Sequence, residues 1–591
     1  MDTTLHRFHV PVMGTGFTLD SALRVAKLGI STVISLVDDH LIERVRRHHA
    51  EVHGLPAEPI GSREPDSRAR RITAYLDLIV LVVARQIDEI RALPLEPGND
   101  KWRYLSLLDD ASPLKELFRL ARLAPGARRE ALDREISAQI RPGGIGVNIM
   151  TKLDRAREGG ATMSDAKAAL RGFALSRLSG SLVLSAGINP ALFSYLAEFP
   201  CFFRDAAGRV DKTVVLKVSD LRSALIQGKV LAKKGIEVAE FRVESGLNCG
   251  GHVFPTEGEL LGPILEAFKQ ERGGFPALFE PMLEKARGPL HPSAQQRRIP
   301  VTVQGGVGTH GEMLRVLEHY GMDAVGWATP FLLVPEVVLM DDETRAQLAA
   351  AKARDLYVSD ASPLGVPFNN LRGSSSERSM RANVDAGTPG SPCPNGFVAL
   401  SGEFSDQPIC AASREYQAAK LSSLGYAKPP SWDEADETVR AIYSKACICS
   451  HLGNGTLRAL GIVRSEQPVA VCPGPNLAWF DRTYALEEMA DHIYGRGASL
   501  TPADRPHFLA EELRLYVEHL EKIAAKVRDA KAQKVVDAFR GNLLAGIDQY
   551  AQLVAQPAYP GENLESLRAA LGVLRPRVSA PAGLQSAALT A

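Results

Sequence analysis

At 591 residues, with 45% hydrophobic and 23% charged content, the chain has the make-up of a globular protein with two or more domains. Its 69 basic residues balance its 69 acidic ones, which leaves no electrostatic case for binding nucleic acid or an anionic membrane surface. The longest apolar run, Leu78 to Ala84, is too short to span a bilayer, and MDTTLHRFHVPVMG at the start carries no secretory apolar core, so a cytoplasmic protein with reduced thiols is expected.

Phe8 to Leu19 (FHVPVMGTGFTL) reads as a first strand running into a glycine-rich turn, with a helix at Ser21 to Leu28 and a second strand at Thr32 to Leu36. This β-α-β rhythm points to a parallel α/β sheet. Between Leu41 and Arg141 the rhythm is lost, and Arg71 to Leu93 and Pro113 to Ile140 show helical periodicity instead. We read a helical insertion that caps the barrel mouth. The rhythm returns at Gly144 to Met150 and Ser181 to Ser185, and again at Lys212 to Val218, whose Lys217 sits at the end of an otherwise apolar strand. A lysine there points either into a barrel mouth or out to solvent. The next strand, Glu237 to Val243, ends in Glu244-Ser245-Gly246-Leu247-Asn248-Cys249-Gly250-Gly251-His252.

Arg298 to Glu336 contains two strand–turn–helix units in succession. The first strand, Ile299 to Gln304, meets Gly305, Gly306 and Gly308, and the second, Asp323 to Gly326, ends in Trp327-Ala328-Thr329. Glycines at a strand-to-helix junction let backbone N–H groups cradle an anion, and the helix N-terminus adds partial positive charge. Two such turns in succession match the phosphate site over the last strands of a (β/α)₈ barrel. Glycines that merely make tight turns remain the alternative.

The stretch IPV…GGVG…EMLRVLEHYGMDAVGWATPFLLVPE resembles the nitronate monooxygenase (2-nitropropane dioxygenase)-like family of FMN-dependent TIM-barrel enzymes. The resemblance covers roughly Phe8 to Leu339 and leaves out the insertion. It implies a flavoprotein oxidoreductase or monooxygenase. Met13, Gly14 and Thr15 would lie beneath the flavin, and Asn148 would bond its pyrimidine. Lys217 would stabilise the reduced ring, and Gly250 and Gly251 would bring His252 over it as the base that takes a substrate α-proton. Gly305, Gly306, Gly308, Gly326, Trp327, Ala328 and Thr329 would hold the phosphate. The turn here lacks the arginine of the family's GTRF signature, so the phosphate would rest mainly on backbone donors. Cys249 stands where the family has a small residue.

Beyond Met340 the resemblance ends. Five of the seven cysteines lie in this part, at Cys393, Cys410, Cys447, Cys449 and Cys472. Their setting beside Pro and Gly suggests that Cys393, Cys410, Cys447 and Cys449 ligate an iron–sulfur cluster or zinc, with Cys472 as a spare ligand. Inert buried thiols and a Cys447/Cys449 redox pair are the alternatives.

From Ala485 the chain reads as helical, and Glu511 to Val527 is amphipathic, so it packs on the barrel or on a second copy in a homo-oligomer. The expected fold class is therefore α/β: a (β/α)₈ TIM barrel over 1–345 with a helical insertion at 41–141, an irregular Cys-containing α+β region at 346–484, C-terminal helices at 485–575 and a disordered tail at 576–591. The expected partners are a small-molecule substrate and, through the cysteine region, an electron-transfer partner. A flavin-free lyase or isomerase acting on a phosphorylated substrate, and a non-catalytic scaffold, are the competing functions.

Overall fold

The computed structural model describes residues 5–151, 154, 163–185, 187–205, 207–287 and 298–580. Eight parallel strands close into a barrel in chain order: β1 (Phe8–Val10), β2 (Ser31–Ser35), β3 (Ile145–Ile149), β4 (Ser181–Leu184), β5 (Thr213–Val218), β6 (Val238–Glu244), β7 (Val301–Gln304) and β8 (Ala324–Gly326). The closing pair is β1 with β8, where Phe8 lies opposite Val325 and His9 opposite Gly326. The expected barrel is therefore present.

The period of two along each strand sorts the side chains. Phe8, Val10, Val147, Leu182, Leu184, Leu216, Val218, Phe241, Val243, Val301, Val303 and Val325 join the large apolar core under the helix shell. The alternate positions turn inward. Val33, Val183 and Val215 form a small separate cluster there, and Arg242, Glu240 and Thr302 bond to one another. Lys217 shares the parity of Val215, which places it at the mouth of the barrel and decides between its two sequence readings.

The insertion does not cap the mouth. Helix Ser67–Ala92 packs along helices Asp39–Val52 and Asp165–Leu175 on the outer wall. It is fixed there by Asp39, a buried carboxylate bound to Arg68 at 2.5 Å and to Arg71 at 2.6 Å. The segment then returns to the opposite end of the barrel, where the Gly143 N–H donates to Ala26 O. Its helices are amphipathic enough to serve as wall, and the expectation of a lid fails because they bury their apolar face against other helices.

The second half of the chain covers the mouth instead. Strands β9 (Leu356–Ser359) and β10 (Phe368–Leu371) form an antiparallel hairpin. Ile448, Leu452 and Leu457 of helix Ile448–Ala459 belong to the same core as the barrel. Helices Phe508–Ala525, Ala530–Leu553 and Leu564–Ser579 pack together and against helix Leu261–Glu271 of the barrel shell. The last of these helices extends through Ser579, past the expected start of a tail at 576, and the rest of that expected tail, 581–591, lies outside the described residues. No helix among the described residues is long and apolar enough to cross a membrane.

Candidate active site

A cavity of about 530 Å³ opens at the C-terminal end of the barrel, a size usual for small-molecule sites. Of the residues expected from sequence, Met13 and Gly14 line it from the turn after β1, Asn148 from β3 and Lys217 from β5. Gly250, Gly251 and His252 line it from the turn after β6, Gly305 and Gly306 from that after β7, and Gly326, Ala328 and Thr329 from the end of β8. Two expected residues lie outside it. Trp327 is buried in the core with its ring edge against His492, 5.8 Å away. Gly308 donates its N–H to Glu312 Oε2 at 2.8 Å.

That last bond changes the reading of the β7 turn. The carboxylate of Glu312 occupies the anion position at the start of its own helix, and the Phe508 N–H and Arg505 Nη1 reach its other oxygen at 2.9 and 2.6 Å. Arg505 Nη2 also donates to Gly306 O at 2.7 Å. Gly305 and Gly306 have φ of +138° and +76°, so the turn requires glycine. A side chain on Gly306 would meet Asn248. The far side of this turn is thus filled by the protein itself. On the cavity side Val307, Ala328 and Thr329 remain as lining residues.

Thr15 Oγ1, Asn148 Oδ1 and Asn248 Oδ1 are among the side-chain oxygens of the cavity wall that are buried without a hydrogen-bond partner among the described residues. Each such group costs about 1–3 kcal/mol when left unsatisfied. Their grouping around one cavity is the pattern of a site completed by a polar ligand. Thr329 Oγ1 accepts from the Gly474 N–H at 3.1 Å and keeps its own hydrogen to donate.

Lys217 Nζ is 3.1 Å from Glu244 Oε1, which also accepts from Gln304 Nε2. The cation is therefore balanced within the cavity wall. His252 is held on two sides. Its Nε2 lies 2.8 Å from Ser362 Oγ, and its ring centroid lies 4.9 Å from that of Phe368. Strand β10 clamps the same turn: the Val253 N–H donates to Pro367 O, the Asn369 N–H to Gly251 O, and Asn369 Nδ2 to Cys249 O at 2.6 Å. On the other side the Gly251 N–H donates to Cys472 O at 2.9 Å. Cys249 donates its thiol to Gln304 O, and burial pushes it well above the usual thiol range. Burial likewise pushes Cys472 up to about 12. Both stay protonated near neutral pH and are poor nucleophiles.

Sequence reasoning missed the cover. Leu364, Val366, Phe368, Leu452, Cys472 and Asn476 all line the cavity from beyond residue 345. The only signals available were the glycine–proline run at Cys472-Pro473-Gly474-Pro475, which threads between the turns of β6 and β8, and short apolar runs with no regular period.

The expected metal ligands do come together. Cys410, Cys447 and Cys449 share a small core with Phe397, Val398 and Ala412, and Cys393 packs against it. Cys472 is not a spare ligand, because it belongs to the cavity wall. Among the described residues no group of three or more His, Cys, Asp or Glu side chains is disposed to hold a metal ion, so neither the expected iron–sulfur cluster nor the expected zinc is shown there.

No protein-family model matches the chain, and no curated protein matches it. Among solved structures it is similar to FabK from Thermotoga maritima, at 13% identity over 89% of this chain and 96% of that one, with a TM-score of 0.38. It is also similar to the enoyl reductase domain of MlnA from the macrolactin biosynthesis cluster of Bacillus amyloliquefaciens, at 12% identity over 92% and 96% with a TM-score of 0.38. A third is nitroalkane oxidase from Streptomyces ansochromogenes, at 11% over 85% and 96% with a TM-score of 0.35.

Proposed function

We propose that the chain is an FMN-dependent oxidoreductase, resembling the nitronate monooxygenase class, that acts on a small and partly apolar organic substrate. The observation that carries this reading is the cavity at the barrel mouth, where Thr15, Asn148 and Asn248 present unpartnered buried oxygens beside Lys217 and the glycine turns. These residues fit a flavin mononucleotide. Asn148 would meet the polar edge of the ring, Lys217 would face the part that becomes negative, and Val307, Ala328 and Thr329 would receive the phosphate. When bound, the flavin supplies hydride and one-electron chemistry that no side chain can.

The chain's own residues then have defined work. Lys217, held by Glu244, provides a fixed positive charge that needs no reorganisation when negative charge develops beside it. His252 accepts or positions a substrate proton at the ring nitrogen now bonded to Ser362, whose hydroxyl fixes the imidazole plane. Phe254, Leu364, Val366 and Phe368 wall the cavity with apolar surface, exclude water and favour a compact substrate.

The test is a titration of the purified protein with FMN, FAD and riboflavin, followed by visible absorbance. FMN is expected to bind in preference to riboflavin, because the β8 turn takes the phosphate. A colourless protein that takes up no FMN but binds a sugar phosphate would overturn the proposal in favour of lyase or isomerase chemistry.

A further inference from the structure

The four cysteines of the small core are not a uniform group. Cys393 and Cys410 share a hydrogen bond, and so do Cys447 and Cys449. Cys410, Cys447 and Cys449 are buried in one core, and Cys393 packs against it. The arrangement is two contacting pairs within one small core, and among the described residues no three side chains are grouped to hold a single ion. A single tetrahedral metal needs four donors around one centre, whereas a dinuclear cluster needs only two thiolates per metal.

We propose that Cys393, Cys410, Cys447 and Cys449 bind a [2Fe–2S] cluster, with Cys393 and Cys410 on one iron and Cys447 and Cys449 on the other. The surroundings suit thiolates. Cys447 stands at the N-terminus of the twelve-residue helix Ile448–Ala459 and receives hydrogen bonds from the Ser450 N–H and the Ser391 hydroxyl, and the Ala412 N–H donates to Cys410. Donors aimed at the sulfurs stabilise a bound cluster and tune its potential. Cys393 adopts φ +49°, a left-handed backbone that a non-glycine residue takes at a cost of about 1–3 kcal/mol. Phe397, Val398 and Leu364 form an apolar shell around the group.

Assembly balances as follows. Two ferric ions and two sulfide ions replace the four thiol protons, giving a cluster of net charge −2 with its thiolates and releasing four protons. One electron, supplied by dithionite in the test below, reduces one iron to the ferrous state. Leu364 touches both this core and the barrel cavity, so a cluster here would adjoin the active site. The proposal does not depend on flavin binding, since its readouts are iron and sulfide.

The experiment is purification of the full chain without oxygen, or its anaerobic reconstitution with ferric iron and sulfide. Ferric iron lets the diferric cluster form without a further oxidant. Either route is followed by iron, zinc and acid-labile sulfide analysis and electron paramagnetic resonance after dithionite. Two irons and two sulfides per chain and a spin-one-half signal on reduction are expected. Cys410→Ser and Cys449→Ser should each abolish both, while Cys201→Ser, on the barrel wall, should keep them. Four irons per chain, one zinc per chain, or a metal-free protein whose Cys393–Cys410 and Cys447–Cys449 pairs are recovered as disulfides would overturn the proposal. The wild-type stoichiometry decides by itself where a serine variant fails to fold, so circular dichroism accompanies each variant.

Discussion

At the scale of single residues, the proposed function separates groups that would bind from groups that would react. Asn148 lines the cavity with a buried oxygen lacking a partner, so its effect should fall on binding. Asn148→Ala is expected to weaken FMN binding by roughly tenfold, the worth of one buried hydrogen bond, with little change in the melting temperature of the unliganded protein. Calorimetric titration checks this, and unchanged affinity would remove Asn148 from the site. His252 should behave in the opposite way. His252→Asn is expected to keep flavin content and lower turnover by roughly 10²–10⁴-fold if the imidazole carries the substrate proton. Ser362→Ala, which frees Nε2 without removing it, should leave turnover much closer to wild type while moving the pH profile. Equal losses in both variants would mean that the pair is structural. His252 was legible in the sequence because a glycine pair precedes it at a strand end. Ser362 was not, since it lies 110 residues away in an irregular segment whose position depends on β10.

At the scale of elements, the barrel strands were legible because short β-branched runs end in glycine turns, and a strand cannot slip by one residue without exchanging its polar inner face for its apolar outer one. The placement of the helices was not, because amphipathicity fixes which face is buried and not what it is buried against. Helix Phe508–Ala525 shows this. Its Glu512 is a fully buried carboxyl that accepts from Ser245 Oγ, from the Leu261 N–H at 2.9 Å and from Tyr550 Oη at 3.2 Å. Ser245 Oγ in turn accepts from the Asn248 N–H at 3.2 Å, so the helix sets the β6 turn that carries His252. Burial raises the pKa of Glu512 from 4.5 to about 7. A carboxyl whose folded value lies above its unfolded one binds more protons when folded. It therefore costs nothing below about pH 4.5, and it lowers stability progressively as pH rises through 7. The full penalty at pH 8 is on the order of 3 kcal/mol. Glu512→Gln should consequently raise the urea midpoint at pH 8 and leave it nearly unchanged at pH 5. A gain of equal size at both pH values would show that the effect is packing rather than ionisation.

At the scale of the whole molecule, the second half of the chain completes the site that the first half begins. The C-terminal helices place their apolar residues in the barrel core, and the cysteine region joins that core through part of its residues while keeping two small clusters of its own. This fusion was not legible, because contacts between residues some two hundred positions apart leave no local pattern. Buried ion pairs add to the shared apolar core, Arg505 with Glu312 among them. The side chains of both are almost fully buried, and the same guanidinium holds Gly306 O and Asn476 Oδ1. Removing one partner of such a pair leaves an uncompensated buried charge, which costs about 3–5 kcal/mol. Arg505→Met should therefore lower the urea midpoint strongly and weaken FMN binding as well, because the β7 turn loses its anchor. Pairing Arg505→Met with Glu312→Gln should recover most of the stability, since no buried charge is then left alone. It should not recover the flavin affinity, because Gly306 O still lacks its donor. A double variant that regains both would mean that the C-terminal helices support the barrel without shaping its mouth.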